Sequence, residues 1–335
     1  MKKNRTFIIA CIIDLLMVIF LFFTYGPISY FRELLITTAM TTKSHKYLAR
    51  TLYSEKTIVK VMNENITEEI QENTNSDEIN FDSIIETDNY ESIYEEQVLK
   101  KEDNNLYKIV EISGMGYKGY MIVVYDASRI SLATSKFLGS NGQIVRNIAS
   151  ENNAKIAINA GGFADAGGVG DGGTPTGTVI SKGKIVYQGA DTGWGGGLIG
   201  FNKDHVLVLT KESPSTAIKN GLVDAVEFGP FLIVNGKSAI TKGNGGGGVA
   251  SRTVIAQRKD GIVLFFVIDG RQPGYSVGIS MTEMTKLLER YKAYNAANLD
   301  GGASTTLVEN KKLINKPCGI GGTGERRVPD AWLVK

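Results

Sequence analysis

The stretch Ile262-Val-Leu-Phe-Phe-Val-Ile-Asp-Gly-Arg271 ends an apolar run in Asp-Gly, and Ala296-Ala-Asn-Leu-Asp-Gly-Gly302 repeats that pattern further along the chain. Both runs are typical of buried strands, and a strand that ends in Asp-Gly directs its carboxylate out of the edge of the core. One helix between the runs would bring Asp269 and Asp300 together with Arg271. A single Asp-Gly is more simply explained as turn chemistry. A pair of carboxylates at one sheet edge would suit glycoside hydrolysis.

The composition restricts the chemistry that this chain can perform. It has 335 residues, a net charge of +2, two histidines and two cysteines. So balanced a charge gives no electrostatic reason to expect a nucleic-acid partner. A Ser-His-Asp triad would need one of the two histidines, and a zinc site built on histidines and cysteines cannot be assembled. The chemistry must rest on carboxylates, arginines, hydroxyls and amides, with an oxygen-ligated cation left open.

The N-terminus carries an apolar run from Phe7 to Phe23, interrupted by Asp14. With its continuation to Phe31 the run is long enough to cross a bilayer as a helix. Three basic residues precede it. This pattern predicts a single-pass anchor over residues 6–31, with residues 1–5 in the cytoplasm and the C-terminal domain outside the cell membrane. A cleaved signal peptide is the alternative, but no Ala-x-Ala site follows the run, so we favour the uncleaved anchor.

A juxtamembrane segment and an acidic stalk are predicted over residues 32–105. From Glu64 to Asp103 acidic residues recur among asparagines and serines, and apolar residues are few and without a period. Such composition is typical of a solvated, partly disordered chain. We expect this stalk to hold the distal domain away from an anionic surface.

The remaining residues, 106–335, have the pattern of a globular domain of the α+β class. Hairpin turns are expected at Lys182-Gly183, Asn235-Gly236 and Asp260-Gly261, each between apolar runs. Ser280 and Glu283 form a capping box, after which apolar residues keep helical spacing. Strands joined by hairpins predict mixed, hairpin-rich β-sheets flanked by a few helices, rather than alternating βαβ units.

Two glycine-rich loops, from Gly168 to Gly173 and from Gly243 to Gly248, match the G-x-G-x-x-G pattern. A dinucleotide site needs a strand before such a loop and a helix after it. Each loop instead leads into a strand, so no nucleotide cofactor is expected. The loops are either rims of a pocket or plain surface loops. Asp165 and Asp171 could supply oxygens to calcium, but turn formation explains them more simply, and no metal site is predicted.

A set of short motifs in a fixed order resembles the phosphodiester glycosidase family over residues 110–335. Each motif alone is weak, whereas the ordered set is specific. Bacterial members of that family include surface proteins related to exopolysaccharide, and the N-terminal anchor and stalk resemble theirs. The motifs are Asn159-Ala-Gly-Gly-Phe163, Thr174-Pro-Thr-Gly177, Phe228-Gly-Pro230, Asn235-Gly-Lys237, Ser251-Arg-Thr253, Asp269-Gly-Arg-Gln-Pro-Gly-Tyr-Ser276, Leu299-Asp-Gly-Gly302, Ser304-Thr305 and Glu325-Arg-Arg-Val-Pro329.

The resemblance implies hydrolysis of a sugar-1-phosphodiester, with release of the sugar from its phosphate. The leaving phosphate is charged, and arginine holds such groups through paired hydrogen bonds. Successive residues of a strand point to opposite faces, so only one of Arg326 and Arg327 is expected to enter the pocket, and we favour Arg327. The candidate phosphate-binding residues are Arg252, Arg271, Arg326 and Arg327.

The same chemistry implies carboxylates and neutral polar groups around the sugar. An oxocarbenium-like transition state requires a nearby carboxylate, which stabilises it or activates water. Ser304 is not expected to be a nucleophile, because no histidine or lysine motif stands near it to activate it. The carboxylate candidates are Asp269, Asp300 and Glu227, and the candidates for contact with sugar hydroxyls are Asn159, Thr174, Ser304 and Thr305.

Two functions remain in competition. The first is a membrane-anchored extracellular hydrolase that cleaves sugar-1-phosphodiester linkages in surface glycans or teichoic-acid-like polymers. The second is a non-catalytic glycan-binding protein of exopolysaccharide assembly or export. In both, the partners are a phosphorylated glycan and, through the N-terminal helix, the membrane. A pocket that keeps both aspartates favours the enzyme, because a binder does not need them.

Overall fold

A computed structural model of the chain describes residues 2–42, 45–81, 89–101, 106–165, 170–189, 195–319 and 321–335. The first glycine loop is therefore described only from Gly170 onward, and residues 82–88 and 102–105 of the predicted stalk, among them Asp82, Glu86, Asp88 and Asp103, lie outside the described residues. The helices are α1 (Lys2–Tyr25), α2 (Ser29–Thr41), α3 (Lys46–Leu52), α4 (Glu55–Glu64), α5 (Ile93–Leu99), α6 (Val145–Glu151), α7 (Pro214–Lys219) and α8 (Met281–Arg290).

The strands form antiparallel ladders, as expected of a hairpin-rich α+β fold. They are β1 (Thr67–Glu68), β2 (Tyr107–Gly114), β3 (Tyr117–Val124), β4 (Ile130–Thr134), β5 (Ile156–Asn159), β6 (Val179–Ser181), β7 (Lys184–Tyr187), β8 (Gly197–Asn202), β9 (Leu207–Thr210), β10 (Leu222–Phe228), β11 (Phe231–Val234), β12 (Lys237–Ser238), β13 (Ile240–Thr241), β14 (Arg252–Arg258), β15 (Val263–Ile268), β16 (Ala293–Asn298), β17 (Leu307–Glu309), β18 (Lys312–Leu313) and β19 (Asp330–Val334).

The largest sheet explains why the two Asp-Gly turns meet. Its seven strands run in the order β12-β11-β16-β14-β15-β3-β2. Because β14 is antiparallel to both β15 and β16, the latter two run in the same direction and end at one edge, where β14 begins. Helix α8 joins them and packs Met284, Leu287 and Leu288 into the apolar cluster on one face of this sheet. Both carboxylates, as expected, follow strand ends at that edge.

Two smaller sheets complete the core of the domain. They have the orders β18-β17-β5-β19-β4 and β7-β6-β10-β8-β9, with five strands each. One apolar cluster joins side chains from all three sheets, among them Ile158 of β5, Phe201 of β8, Phe265 of β15 and Trp332 of β19. Burial of large aromatic side chains contributes much of the free energy of folding. The three sheets are thereby held in a fixed relation, which positions residues that are far apart in sequence.

Local turn and capping signals were read correctly from the sequence. The turns Lys182-Gly183 and Asn235-Gly236 have positive φ at both residues, as two-residue hairpins with a type I′ turn require. Ser280 caps α8, because its Oγ accepts a hydrogen bond from the Glu283 nitrogen at 3.2 Å. These features depend only on neighbouring residues, which is why short-range reasoning was sufficient.

The N-terminal apolar helix α1 is also present. Its segment Phe7–Tyr25 is long and apolar enough to cross a membrane, and its side chains are largely exposed. Helices α2, α3 and α4 follow it and pack together around Ile36, Ala49 and Ile58. We call these three helices, residues 29–64 apart from the undescribed 43 and 44, the juxtamembrane module.

The acidic segment differs from the predicted solvated stalk. Residues 66–81, the acidic strap, lie along the surface of the domain. Thr74 exchanges hydrogen bonds with Leu209: the Thr74 nitrogen donates to the Leu209 oxygen at 3.0 Å, and its hydroxyl oxygen accepts from the Leu209 nitrogen at 2.9 Å. Glu69 pairs with Lys211 at 2.7 Å. The acidic run suggested solvation because the sequence does not show which lysines of the domain lie opposite it.

Candidate functional site

The site is built where the two Asp-Gly turns pack against the start of β14. The Ser251 hydroxyl donates to the Gly302 oxygen at 2.7 Å, and the Gly302 nitrogen donates to the Ser251 oxygen at 2.9 Å. On the other side, a Cβ added to Gly270 would lie 2.2 Å from the Ser251 nitrogen. Only glycine fits at that distance. The glycine that forms the Asp-Gly turn therefore also lets the turn pack closely against the start of β14.

Asp269 is buried, with 1% of its surface exposed. The Asn315 side-chain nitrogen donates to Oδ1 at 2.9 Å, the Tyr275 hydroxyl to Oδ2 at 3.0 Å, and the Lys316 main-chain nitrogen to both oxygens at 3.1 and 3.2 Å. Burial raises the pKa of Asp269, and these hydrogen bonds oppose the rise. The carboxylate therefore ties the loops at residues 275 and 315–316 to the sheet edge.

Asp300 is partly exposed, and its backbone is fixed from two sides. Its nitrogen donates to the Ala160 oxygen at 3.0 Å, and its oxygen accepts from the side-chain nitrogen of Asn159 at 2.7 Å. The other end of the Asn159 amide accepts from the Thr253 hydroxyl at 2.8 Å and from the Thr306 nitrogen at 3.1 Å. Asn159, which is fully buried, thus connects β5, β14 and the segment after Asp300.

A third aspartate, Asp330, was missed by the sequence reasoning. It opens β19 and is fully buried; Oδ1 accepts from the Gly161 nitrogen at 2.6 Å, and Oδ2 has no hydrogen-bond partner among the described residues. Burial, aided by the negative charge of Asp300, raises the pKa of Asp330 to about 7. The available signal was a carboxylate at the start of the apolar run Ala331-Trp-Leu-Val334. That pattern mirrors the two strand-end aspartates.

Two arginines lie close together beyond Gly302. Arg252 is buried, and its Nη2 donates to the oxygens of Gly247 and Gly248 at 2.9 and 3.0 Å. Its Nε is buried without a partner among the described residues. Burial, and then the positive charge of Arg271, lowers the pKa of Arg252 to about 10. Within the described part of the chain neither guanidinium pairs with a carboxylate, so the arginine pair is suited to an anion.

Arg271 is the exposed member of this arginine pair. Its φ is +58°, in the left-handed region that side chains other than glycine rarely adopt. A Cβ on Gly302 would lie 2.9 Å from the Arg271 guanidinium. Gly302, two residues after Asp300, therefore leaves the space that this guanidinium occupies, which places Arg271 against the turn that follows Asp300.

Of the two adjacent arginines, Arg326 lies near Asp300. Its guanidinium donates to both oxygens of Asp165 at 2.8 and 3.0 Å and stacks on the Phe163 ring at 4.9 Å. The bond with Asp165 and, more weakly, the charge of Asp300 raise the pKa of Arg326. Arg327 is exposed and donates to the Gly142 oxygen at 3.2 Å. Residues 326 and 327 precede β19 and lie in no strand, so the expected strand alternation does not apply to them, and it is Arg326 rather than Arg327 that approaches Asp300.

The remaining candidates have contacts of their own. Oε2 of Glu227 accepts from the Thr178 nitrogen at 2.8 Å. Ser304 and Thr305 are buried, and the Thr305 hydroxyl has no partner among the described residues. Thr174 donates to the Gly139 oxygen at 3.4 Å. The centre itself joins Asp300, Asp330, Arg252, Arg271 and Arg326.

The possible calcium ligands have other partners. Asp165 holds Arg326, and Oδ1 of Asp171 accepts from the Gly173 nitrogen at 2.9 Å. Across the described ranges there is no group of three or more histidine, cysteine or carboxylate side chains that could hold a metal ion. The second glycine loop, residues 243–249, holds Arg252 and is thus a wall of the arginine site.

Comparison with known proteins identifies the family. The model of the phosphodiester glycosidase family matches residues 152–335, so the chain belongs to this family. The resemblance seen in the ordered motifs is thereby confirmed.

Two curated relatives and one solved structure are similar to parts of the chain. The SPbeta prophage-derived uncharacterized protein YomE of Bacillus subtilis (strain 168) is 29% identical over 220 residues, which cover 63% of this chain and 32% of that protein. The N-acetylglucosamine-1-phosphodiester alpha-N-acetylglucosaminidase of Bos taurus is 27% identical over 156 residues, 40% of this chain and 29% of that enzyme. The chain thus spans about a third of the length of these relatives.

The zebrafish N-acetylglucosamine-1-phosphodiester alpha-N-acetylglucosaminidase catalytic domain, auto-inhibited by its pro-peptide, matches in structure. The TM-score is 0.54 at 21% identity, and the match covers 70% of this chain and 85% of that one. At this identity the likeness shows that the two chains share a fold.

Proposed function

We propose that this chain is a membrane-anchored hydrolase that cleaves the bond between a sugar and a phosphodiester in extracellular glycans. Its family membership and the bovine relative, a phosphodiester glycosidase by name, support this reaction class. The observation that carries the proposal is that Asp300 and the buried Asp330 are held by adjacent residues, Asp300 through its nitrogen to the Ala160 oxygen at 3.0 Å and Asp330 through the Gly161 nitrogen at 2.6 Å. Two arginines that lack carboxylate partners among the described residues lie next to them.

The carboxyl pair has the chemistry that sugar transfer needs. Because the pKa of Asp330 is raised to about 7, this carboxyl group is about half protonated at neutral pH and mostly protonated below it. Asp300 is the partly exposed member and faces the reacting carbon. It accepts a proton from the attacking water and offsets the positive charge that develops on the sugar ring. We assign to Asp330 the role of retaining a proton, so that a second full negative charge does not form beside Asp300.

The arginine pair stabilises the leaving phosphate. As the bond from the anomeric carbon to the phosphate oxygen breaks, its electron pair leaves with the phosphate, and the water oxygen bonds to the carbon. Arg252 and Arg271 stabilise the departing anion by charge and hydrogen bonds. The phosphate monoester that departs is already a good leaving group, so no separate acid is required.

The buried polar residues act one step away from the substrate. Asn159 holds the backbone of Asp300, and Asp269 fixes the loops beside Tyr275 and Lys316. Arg326, which pairs with Asp165 and lies near Asp300, is assigned to sugar or phosphate oxygens. Glu227, Thr174, Ser304 and Thr305 remain candidate contacts for the sugar.

The test is turnover of defined substrates by the full chain. A panel of α- and β-linked sugar-1-phosphodiesters is incubated with the protein in detergent, and free sugar and phosphate monoester are measured. In water enriched in heavy oxygen, the label is expected in the sugar, because the bond to carbon breaks. Label in the phosphate would contradict the assigned bond cleavage.

A glycan-binding protein without turnover is the second candidate. It is favoured by one observation: protein donors already occupy both oxygens of Asp269 and one oxygen of Glu227. Saturable binding of the same panel without release of sugar, in wild-type protein at every pH tested, would support the binder.

A further inference from the structure

The juxtamembrane module is fixed to the end of the apolar helix α1. The Tyr53 hydroxyl donates to the Thr24 oxygen at 3.0 Å, and the Tyr25 hydroxyl donates to the Leu52 oxygen at 2.8 Å. Tyr53 is itself part of the buried cluster that joins the three helices of the module. The end of the apolar segment and the module are therefore joined by side-chain bonds as well as by the chain.

The same module is hydrogen-bonded to the second glycine loop. The Asn244 side-chain nitrogen donates to the Thr37 hydroxyl at 2.7 Å, and the Val249 nitrogen donates to the Thr38 hydroxyl at 3.3 Å. Asn65, just after α4, accepts from the Asn244 nitrogen at 2.9 Å. A Cβ on Gly248 would lie 2.6 Å from the Thr38 hydroxyl oxygen, so loop and helix are in close contact.

This loop also supplies the two carbonyl oxygens that hold Arg252. A continuous path therefore leads from the end of α1 through α2 to the buried arginine. The arginine pair lies on the side of the domain that is next to the membrane-proximal helices. None of these contacts involves the strand-end aspartates.

The height of the arginine pair can be bounded. Thr38 is the tenth residue of α2 and lies about 14 Å along its axis from the first residue. The headgroup layer reaches roughly 5–8 Å beyond the hydrocarbon. An upright α2 would thus leave a gap of about 6–9 Å between the headgroup layer and Thr38, and a leaning α2 would shorten it.

The exposed face of the module has the composition of an interfacial surface. Tyr47 and Leu48 on α3 are 61% and 42% exposed. The exposed cations Lys46 and Arg50 flank them. Aromatic and aliphatic side chains among basic residues are typical of segments that lie in the headgroup layer of an anionic membrane. This composition favours a position of the module, and of the arginine pair with it, close to the bilayer.

We propose that the substrate is a membrane lipid: a sugar joined through a phosphodiester to a long-chain lipid alcohol in the same bilayer. This inference rests on the proposed hydrolase function and names the class of its leaving group. The lipid-bound phosphate reaches the arginine pair from the headgroup layer, and the sugar extends past Gly302 to Asp300. A water-soluble phosphorylated polymer is the competing substrate, and it would not require a site close to the membrane.

The experiment uses the full chain in vesicles of phosphatidylglycerol and phosphatidylethanolamine. Two substrates share one sugar; one carries a polyprenyl chain in the same vesicles and the other a water-soluble ethyl group. Free sugar is expected to appear at least about tenfold faster from the polyprenyl substrate at equal bulk concentration, because both partners share the bilayer. Cleavage of the ethyl substrate alone would overturn the lipid assignment and leave the hydrolase intact. Cleavage of neither substrate would contradict both the lipid assignment and the proposed hydrolase function.

An insertion between α1 and α2 tests whether the arginine pair must lie close to the membrane, or whether it is sufficient that protein and substrate share one bilayer. A rigid helical spacer of Glu-Ala-Ala-Ala-Lys repeats, placed in the link at residues 26–28, raises the whole domain. It is expected to abolish cleavage of the polyprenyl substrate while cleavage of the ethyl substrate continues. A Gly-Ser spacer of equal length is the matched control and should retain polyprenyl cleavage, because a flexible link lets the domain return to the surface. Equal polyprenyl cleavage by both insertions would contradict the proposal.

Discussion

The main-chain nitrogen of Gly161 lies 2.6 Å from Oδ1 of Asp330 and holds a carboxyl group that is completely buried. A Cβ on Gly161 would lie only 3.2 and 3.3 Å from the two carboxyl oxygens. A backbone donor thus reaches Asp330 where a side chain at residue 161 would crowd it. This contact joins the Asn159 motif to the last strand of the chain.

The first prediction concerns pH. Burial and the charge of Asp300 raise the pKa of Asp330 to about 7. Above that pH a second negative charge forms beside Asp300 and repels the phosphate, so kcat/KM is expected to fall as pH rises through about 7. In Asp330→Asn the fall should disappear from the pH–rate profile. A descending limb that is the same in the variant would rule out Asp330 as its source.

The stability of the protein should change in the same pH range. The folded pKa of Asp330 lies above that of the unfolded chain, so the folded state binds more protons between the two values. Stability therefore falls as pH rises from about 4 toward 7. In thermal unfolding, the Tm of Asp330→Asn should rise relative to that of the wild type as the buffer becomes more alkaline. An unchanged difference in Tm across this range would contradict the assignment.

The two strand-end aspartates should separate by phenotype. Asp300→Asn is expected to lower kcat by about 100-fold or more, the usual loss for a proton-accepting group, with little change in Tm. Asp269→Asn places an amide nitrogen among three donors. It should lower the free energy of unfolding by about 1–3 kcal/mol. Denaturant unfolding and steady-state kinetics on both variants make the comparison. A stable Asp269→Asn with Asp300-like kinetics would assign the catalytic role to Asp269 instead.

Gly302→Ala tests the space occupied by the Arg271 guanidinium. Its φ is +61°, and the new Cβ would lie 2.9 Å from that guanidinium. Gly183→Ala, at φ +71° with nothing within 4 Å, has the backbone strain without the contact. Both should lose about 1–2 kcal/mol of stability, but only Gly302→Ala should raise KM. A matching rise in KM for Gly183→Ala would trace the effect to strain.

Arg326 and Arg327 form a natural pair of test positions. Arg326→Gln removes the charge that pairs with Asp165 and lies near Asp300. Its kcat/KM is expected to fall at least about tenfold further than that of Arg327→Gln, a difference of about 1.4 kcal/mol in transition-state stabilisation. Initial rates at low substrate concentration measure it directly. The reverse order would restore Arg327 as the residue that contacts substrate.

The acidic strap provides a prediction about folding alone. Glu69 accepts from the Gly196 nitrogen at 2.5 Å and pairs with Lys211, with 17% of its side chain exposed. Glu69→Gln should therefore destabilise the protein by about 1 kcal/mol. Glu78, whose side chain is 46% exposed where it pairs with Lys259, is the control, and Glu78→Gln should leave Tm unchanged. Equal effects of the two substitutions would show that the strap is held by charge in general.

Sequence alone determined the local features of this protein and the family to which it belongs. The hairpin turns, the capped helix α8 and the strands that end in Asp269 and Asp300 depend on residues adjacent in the chain. Periodicity and turn chemistry are sufficient to recognise them. The ordered motifs added the family, because their spacing along the chain carries information that no single motif has.

Tertiary structure alone decided which of these groups share one environment. Asp330 was missed because its pKa depends on burial under Gly161 and on the charge of Asp300, contacts made across sheets. The choice between Arg326 and Arg327 depended on where Asp165 lies, and the course of the acidic strap on the lysines opposite it. Burial and the distances between charged groups are properties of the folded chain, and the sequence pattern does not contain them.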